Sequence, residues 1–357
     1  MTHEPSSPDP AAPGLGAAAL ASPDDATRRG AAPRVTLAMP VYGEEALIDE
    51  LVARCAAVLD ATPGGPHQIV IVNDGSRDGT LAKLEAAAQR EPRLLVVDLS
   101  RNYGHQTAMT AALDHATGDV ILAMDGDLQD PPEELPNFLE RWRAGYDVVY
   151  ARRVRRKEGL FLRTSYFLFY RLLASVSDLE MPLDSGDFAL LSRRALDALR
   201  AAPERQRYIR GLRAWVGFPQ TGLEVERHAR SAGESKYSLV KLMGLAFDGI
   251  FAFSTVPLRL ATTIGVVTIL LTGLYAAYAL FARIVFEQVP RGFTASLLIL
   301  VFVSGVQLVF LGVLGEYVGR IYEEVKRRPH YYVQRWIGSS PPARSPQAPG
   351  GSPAEHR

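Results

Sequence analysis

From residue 34 to about residue 151 short apolar runs alternate with longer amphipathic stretches. Val35 to Met39, Ile69 to Asn73, Leu94 to Leu99, Val120 to Met124 and Asp147 to Ala151 are short and bounded by turn or polar residues, the pattern of strands. Between them Glu45 to Leu59, Leu81 to Arg90, Thr107 to Ala116 and Glu133 to Ala144 carry the 3.6-residue period of helices. Strand and helix in alternation predict an α/β fold with a doubly wound, mostly parallel sheet.

Two later segments leave this pattern. Leu260 to Ala282 is 23 residues without a charge and Gly292 to Gly315 is 24, each longer than the roughly 20 that cross a bilayer as a helix. We expect transmembrane helices at 260–282 and 292–315. Only nine residues, Arg283 to Arg291, join them, so both outer flanks lie on one side. Lys236, Lys241 and Arg259 precede the pair, and Arg320, Lys326, Arg327, Arg328 and Arg335 follow it. By the positive-inside tendency the soluble domain and both termini are cytoplasmic, in a multi-pass protein of the inner (plasma) membrane. Residues 238–259 form a juxtamembrane amphipathic segment, with Lys241 and Asp248 on one helical face. It either lies on the membrane or packs against the soluble domain. Residues 1–33, rich in Ala, Pro, Gly and Ser, are expected to be a disordered tail, and the 316–357 tail is expected to be disordered after about residue 338.

Composition narrows the function. Lys plus Arg number 39 and Asp plus Glu 39, for a net charge of zero, which argues against a nucleic-acid partner held by bulk electrostatics. Cys55 is the only cysteine, so no intrachain disulfide forms. No Gly-x-Gly-x-x-Gly follows a strand and no P-loop is present, so a dinucleotide-dependent dehydrogenase and a P-loop enzyme are set aside.

The polar residues gather at strand ends, where open parallel sheets bind ligands. Asp125 and Asp127 end the fourth run, and residues two apart in extended chain point the same way. Two carboxylates so placed can share a divalent cation completed by substrate phosphates; the alternative is a turn built from good turn formers. Pro40, Tyr42, Glu44 and Glu45 follow the first strand and Asp74 the second, an aromatic ring and carboxylates suited to a base and a ribose. Ser76, Asp78 and Thr80 can also cap the next helix. Gly104 lets backbone approach a ligand closely, and His105 reads as a local hydrogen-bonding residue rather than a base.

The ordered set AMPVYGEE, IVNDGSRDGT, SRNYGHQTA, MDGDLQDPPE, LDSGDFALLSRR and RSAGESKYSLVKL, followed by two spans, resembles family 2 glycosyltransferases of the polyprenyl-phosphate type. It covers about residues 34 to 335 and is most similar to bacterial bactoprenol glucosyltransferases, less so to dolichyl-phosphate mannose synthases. Gly43 departs from the Asn of many relatives. The resemblance implies a GT-A domain over 34–237 and inverting transfer of a sugar, glucose from UDP-glucose or alternatively mannose from GDP-mannose, to a polyprenyl (undecaprenyl) phosphate. It also implies Mg²⁺ or Mn²⁺. The partners are then a nucleotide sugar, the lipid acceptor and the membrane, and a homo-oligomer is admitted. By position, Pro40, Tyr42, Glu44, Asp74 and Asp125 fall in the nucleotide pocket, and Asp125, Asp127 and Gln129 at the metal. Asp127, Asp187 and Arg153 are the catalytic set, and Arg153, Arg163, Ser165 and Lys236 hold the acceptor phosphate, with Gly233, Ser235, Arg227 and Arg230 nearby. Two choices stay open: Asp184 or Asp187 as the acceptor-side carboxylate, and Arg152 or Arg153 in register. Rival readings are an inactive membrane scaffold of the same fold and a processive polysaccharide synthase, which needs more spans.

Overall fold

A computed structural model of the chain describes Arg29 and residues 32–153, 185–205, 207–225, 256–286 and 292–339. The chain divides into two compact units, one holding the sheet and its helices, the other two long helices.

The apolar runs become β1 (Val35–Val41), β2 (Gln68–Asn73), β3 (Leu94–Leu99), β4 (Val120–Ala123) and β5 (Val148–Arg153). Beyond them come β6 (Ser185–Ser192), β7 (Gln220–Val225) and β8 (Val333–Gly338). The helices are α1 (Ile48–Asp60), α2 (Thr80–Arg90), α3 (His105–Asp114), α4 (Leu135–Arg143), α5 (Arg193–Ala201) and α6 (Ile209–Trp215). Among the described residues one sheet of eight strands has the order β7-β5-β6-β4-β1-β2-β3-β8. β4, β1, β2 and β3 run parallel, as do β5 and β7, whereas β6 is antiparallel to both β4 and β5, and β8 is antiparallel to β3. The doubly wound, mostly parallel sheet expected from the alternation is present, with antiparallel insertions.

Both faces of the sheet are covered, which is why its central strands are apolar throughout. Val35, Leu37, Met39 and Val41 of β1 face a core built with Ile48 and Leu51 of α1, Leu84 of α2 and Phe138 of α4. Ala38 faces the opposite core, built with Ala108 and Leu113 of α3, Leu196 of α5 and Leu212 of α6. Helices on both faces leave the carboxyl ends of β1 to β4 as an open rim.

The ends of the domain are tied down. β8 closes the free edge of β3, Trp336 Nε1 donates to His115 Nε2 at 3.2 Å, and the Tyr331 hydroxyl donates to Asp114 at 3.0 Å. Thus residues 333–338, assigned from sequence to a tail beyond the spans, belong to the sheet. At the other end Arg29, inside the stretch expected to be disordered, is buried and donates to the carbonyls of Trp142 and Tyr146 and to Asp147. The reason is electrostatic: Asp147 is fully buried, and a buried carboxylate is retained only with cationic partners, here Arg29 and Arg194.

The second unit contains α7 (Val256–Phe286) and α8 (Phe293–Lys326). α7 covers 260–282 and α8 covers 293–315, and residues 256–259 of the expected juxtamembrane segment belong to α7; residues 238–255 lie outside the described residues. Side chains that would be core elsewhere are exposed here: Ile269 is 72% and Leu274 70% exposed, and Leu308 69%. Each such residue facing water forgoes roughly 2 kcal/mol of burial, so this surface calls for an apolar cover. By length and composition Phe302–Lys326 is able to cross a membrane, and Ala261–Tyr275 is a shorter apolar stretch. The α8 helix ends at Arg327, whose left-handed backbone (φ 48°) stops it.

Candidate active site

Three loops at the rim are stitched to one another by backbone donors. The Gly43 amide donates to the Ser76 hydroxyl at 3.1 Å and the Glu44 amide to the Thr80 hydroxyl at 3.0 Å. Ser76 and Thr80, read from sequence as possible caps, therefore accept from the loop after β1, while Asp78 accepts the Thr80 amide. Gly43 has φ +70°, a region that glycine enters freely and Asn at modest cost, so the Gly of this chain and the Asn expected of its family suit the same turn. Asp74 is buried and accepts the amides of Tyr103 (2.7 Å) and Gly104 (3.0 Å), one on each oxygen. Burial raises its pKa and the two amides oppose the rise. Asp74 thus holds the loop that leads into His105, and any ribose contact uses its remaining lone pairs.

The Asp125–Gly126–Asp127 segment needs its central glycine. A Cβ on Gly126 would stand 2.7 Å from the Pro40 carbonyl oxygen and 2.5 Å from a Val41 methyl, so only glycine lets the loop after β4 lie against the end of β1. Asp127 accepts the Gln129 amide at 3.1 Å, and Leu128 between them has φ +60°, a strained conformation for a bulky residue. Such strain gathers at ligand-binding loops. Asp125 and Asp127 are half-buried, and the Asp125 amide donates to Asp130 at 3.3 Å. Tyr42 is 51% exposed, open to stack on a planar group.

The antiparallel strand β6 brings the third carboxylate. It pairs with β4 from Val120–Ser192 to Ala123–Ala189, so that Asp187 of β6 and Asp125 of the loop after β4 both lie just beyond the last pair. His105, the first residue of α3, stands over the gap with Nε2 3.5 Å from Asp125 and 3.7 Å from Asp187. These contacts are too long for strong hydrogen bonds and are mainly electrostatic. The carboxylates, Asp187 foremost, raise the His105 pKa against the effect of burial. Asp187 is buried and gripped by Arg210, whose Nε and Nη2 each donate to one of its oxygens at 2.6 Å. Burial pushes the Asp187 carboxyl up, but the Arg210 fork and His105 outweigh it and hold the group well below the usual carboxylate range.

Of the residues singled out from sequence, Asp125 and Asp187 meet across His105, and Pro40 lies under the Asp125 loop. Glu44 is half-buried in the loop after β1. Arg153 ends β5, where its backbone pairs with Val225; its side chain, and Arg163, Ser165, Asp184, Arg227, Arg230, Gly233, Ser235 and Lys236, lie outside the described residues. Arg210 was not foreseen. Its only mark in the sequence is Arg213 three residues on, which places both guanidinium groups on one side of α6.

The donor set fits a hard divalent cation. Carboxylates on one short loop suit Mg²⁺ or Mn²⁺, and among the described residues no group of three His, Cys, Asp or Glu side chains could hold an ion alone. A cation held there would take its remaining ligands from substrate oxygens and water, as is usual for Mg²⁺.

Residues 36–200 match the Glycosyl transferase family 2 domain, and residues 256–321 match the GtrB C-terminal hairpin. The chain is 42% identical over 307 residues to the uncharacterized glycosyltransferase YkcC of Bacillus subtilis (strain 168), covering 85% of this chain and 94% of that one. It is 37% identical over 303 residues to the prophage bactoprenol glucosyl transferase homolog of Escherichia coli (strain K12), covering 85% and 99%. The bactoprenol glucosyl transferase of Shigella phage SfX is 38% identical over 302 residues, covering 84% and 99%. Among solved structures, the mannosyltransferase PcManGT from Pyrobaculum calidifontis, in complex with GDP-Man and Mn²⁺, is 21% identical with a TM-score of 0.46, covering 63% of this chain and 64% of that one.

Proposed function

We propose, from the premise that this chain belongs to glycosyl transferase family 2, that it moves glucose from UDP-glucose to a polyprenyl phosphate at the cytoplasmic face of the membrane. The observation that carries this reading is the extent of the similarity: relatives named bactoprenol glucosyl transferase match the catalytic domain and the hairpin alike, over nearly their whole length.

The chemistry needs little from a base. A phosphomonoester has a second pKa of about 6, so the acceptor is already ionised near neutral pH. Its oxygen forms the new bond to the anomeric carbon as the bond to the diphosphate breaks, and attack from the opposite face inverts the configuration. The electron pair leaves on the diphosphate and no proton moves. The task of the chain is therefore positioning and charge stabilisation. Pro40, Tyr42, Glu44 and Asp74 line the nucleoside end, Tyr42 stacking on the base. Asp125, Asp127 and Gln129 would hold Mg²⁺ or Mn²⁺, which supplies positive charge for the departing diphosphate. Arg153, Arg163, Ser165 and Lys236 are assigned to the acceptor phosphate. Asp187, kept ionised by Arg210, marks the acceptor side and stays unprotonated through the reaction.

One assay tests both the reaction and its sidedness. Inverted membrane vesicles, with the cytoplasmic face outward, are given radiolabelled UDP-glucose, UDP-N-acetylglucosamine and GDP-mannose in turn, and the glycolipid is identified. Label from UDP-glucose alone should enter a mild-acid-labile polyprenyl product, and right-side-out vesicles should stay unlabelled. Labelling from GDP-mannose only would replace the donor assignment; labelling of right-side-out vesicles would reverse the orientation.

A further inference from the structure

The helix α6 reaches the rim at three points. The Ile209 amide donates to Gln106 Oε1 at 3.2 Å, next to His105 in the first turn of α3. Arg213 is buried and its Nη2 donates to the Gly186 carbonyl at 3.0 Å, fixing the backbone just before Asp187. Between them Arg210 takes both oxygens of Asp187. One short helix thus sets the strand backbone, the carboxylate and the turn that carries His105. Asp187 and Asp125 both lie beyond the last β4–β6 pair, with His105 within 4 Å of both.

We infer that Arg210 is a positioning residue for the transfer reaction: by holding the Asp187 carboxylate in one orientation it fixes, through His105, the spacing between the acceptor-side carboxylate and the donor-side carboxylate Asp125. The inference rests on the reading of Asp187 as the acceptor side of a glycosyltransferase site. A bidentate fork suits this task because it defines the carboxylate plane as well as its charge. A lysine in the same place would supply charge without the plane. Arg210 is 31% exposed against 8% for Asp187, so the carboxylate is the better shielded of the pair.

The test is steady-state kinetics of the full-length, detergent-solubilised enzyme with UDP-glucose and polyprenyl phosphate, on Arg210→Ala, Arg210→Lys, Asp187→Asn and the Arg210→Ala/Asp187→Asn double variant. Misplacement of a reacting group by about 1 Å costs on the order of a hundredfold, so kcat of Arg210→Ala should fall by about that factor, with KM for the nucleotide sugar within about threefold of wild type. Arg210→Lys should recover part of the loss. The double variant should be no slower than the slower single one, since without Asp187 there is nothing for Arg210 to hold. An unchanged kcat, a raised acceptor KM with normal kcat, or losses that add in the double variant would each overturn the inference. If Arg210→Ala does not fold, as judged by its melting transition, Arg210→Lys carries the test: wild-type kcat in that variant overturns the inference. Absence of turnover in the wild-type enzyme, by contrast, would strike the proposed reaction and not Arg210.

Discussion

The two halves of the sheet deliver residues to the same rim by opposite means. In the parallel half β1, β2, β3 and β4 all point their carboxyl ends at the site, and their loops, carrying Tyr42, Asp74, His105 and Asp125, are stitched together by backbone amides. In the other half β6 runs the opposite way, so its amino-terminal end arrives where β4 stops, and Asp187 comes within reach of His105 alongside Asp125. The carboxylates are handled differently too. Asp125 and Asp127 are half-buried on a strained loop that leaves them available to a cation, whereas Asp187 is buried and locked to Arg210. The difference teaches that the parallel half is built to exchange ligands and the antiparallel half to hold still. We assign the donor to the first and the acceptor to the second.

The largest expected effect lies in the parallel half. Asp127→Asn should lower transfer by at least about a hundredfold, since a group that stabilises charge in the transition state is lost, and chelation of divalent cations should do the same to the wild-type enzyme. Initial rates with and without EDTA, restored by Mn²⁺ or Mg²⁺, decide the point. Substantial activity of Asp127→Asn in EDTA would remove the distinction between the halves, because the half-buried carboxylates would then have no cation to hold.

A smaller effect is expected where β8 clasps the opposite end of α3. Asp114 is half-buried, desolvation raises its pKa, and the Tyr331 hydroxyl donates to it. Tyr331→Phe leaves that acceptor one donor short at a cost of about 1–3 kcal/mol, a drop of several degrees in the melting transition of the catalytic domain. The nucleotide-sugar KM should not move. An unchanged melting transition would mean that the returning strand rests on the edge without supporting α3.

The strands buried in apolar runs, β1 to β5, were legible in the sequence, and β6, β7 and β8 were not, for physical reasons. Val35 to Met39, Ile69 to Asn73 and Leu94 to Leu99 are buried on both faces and read as unbroken apolar runs, so their strands were placed to within two residues. In β6 the run is interrupted by Gly186 and Asp187, and β8 sets Gln334 and Arg335 side by side between Val333 and Trp336, at an edge of the sheet where most of its residues are exposed. Edge and antiparallel strands give weak signals of this kind. Asp125 announced itself through its neighbour Asp127. His105, read as a local hydrogen bonder, owes its place to Asp125 and Asp187, which only the β4–β6 register brings within its reach. Arg29 illustrates the same limit, since the demand it meets is a buried carboxylate far along the chain.

The division of the site into a donor half and an acceptor half is tested most directly by measuring UDP-glucose binding, by calorimetry in the presence of Mn²⁺, on Asp127→Asn and Asp187→Asn side by side. The account predicts that Asp127→Asn loses measurable donor binding while Asp187→Asn binds the donor within about threefold of wild type and yet transfers at a rate lower by about a hundredfold. Equal loss of donor binding in both variants would contradict it.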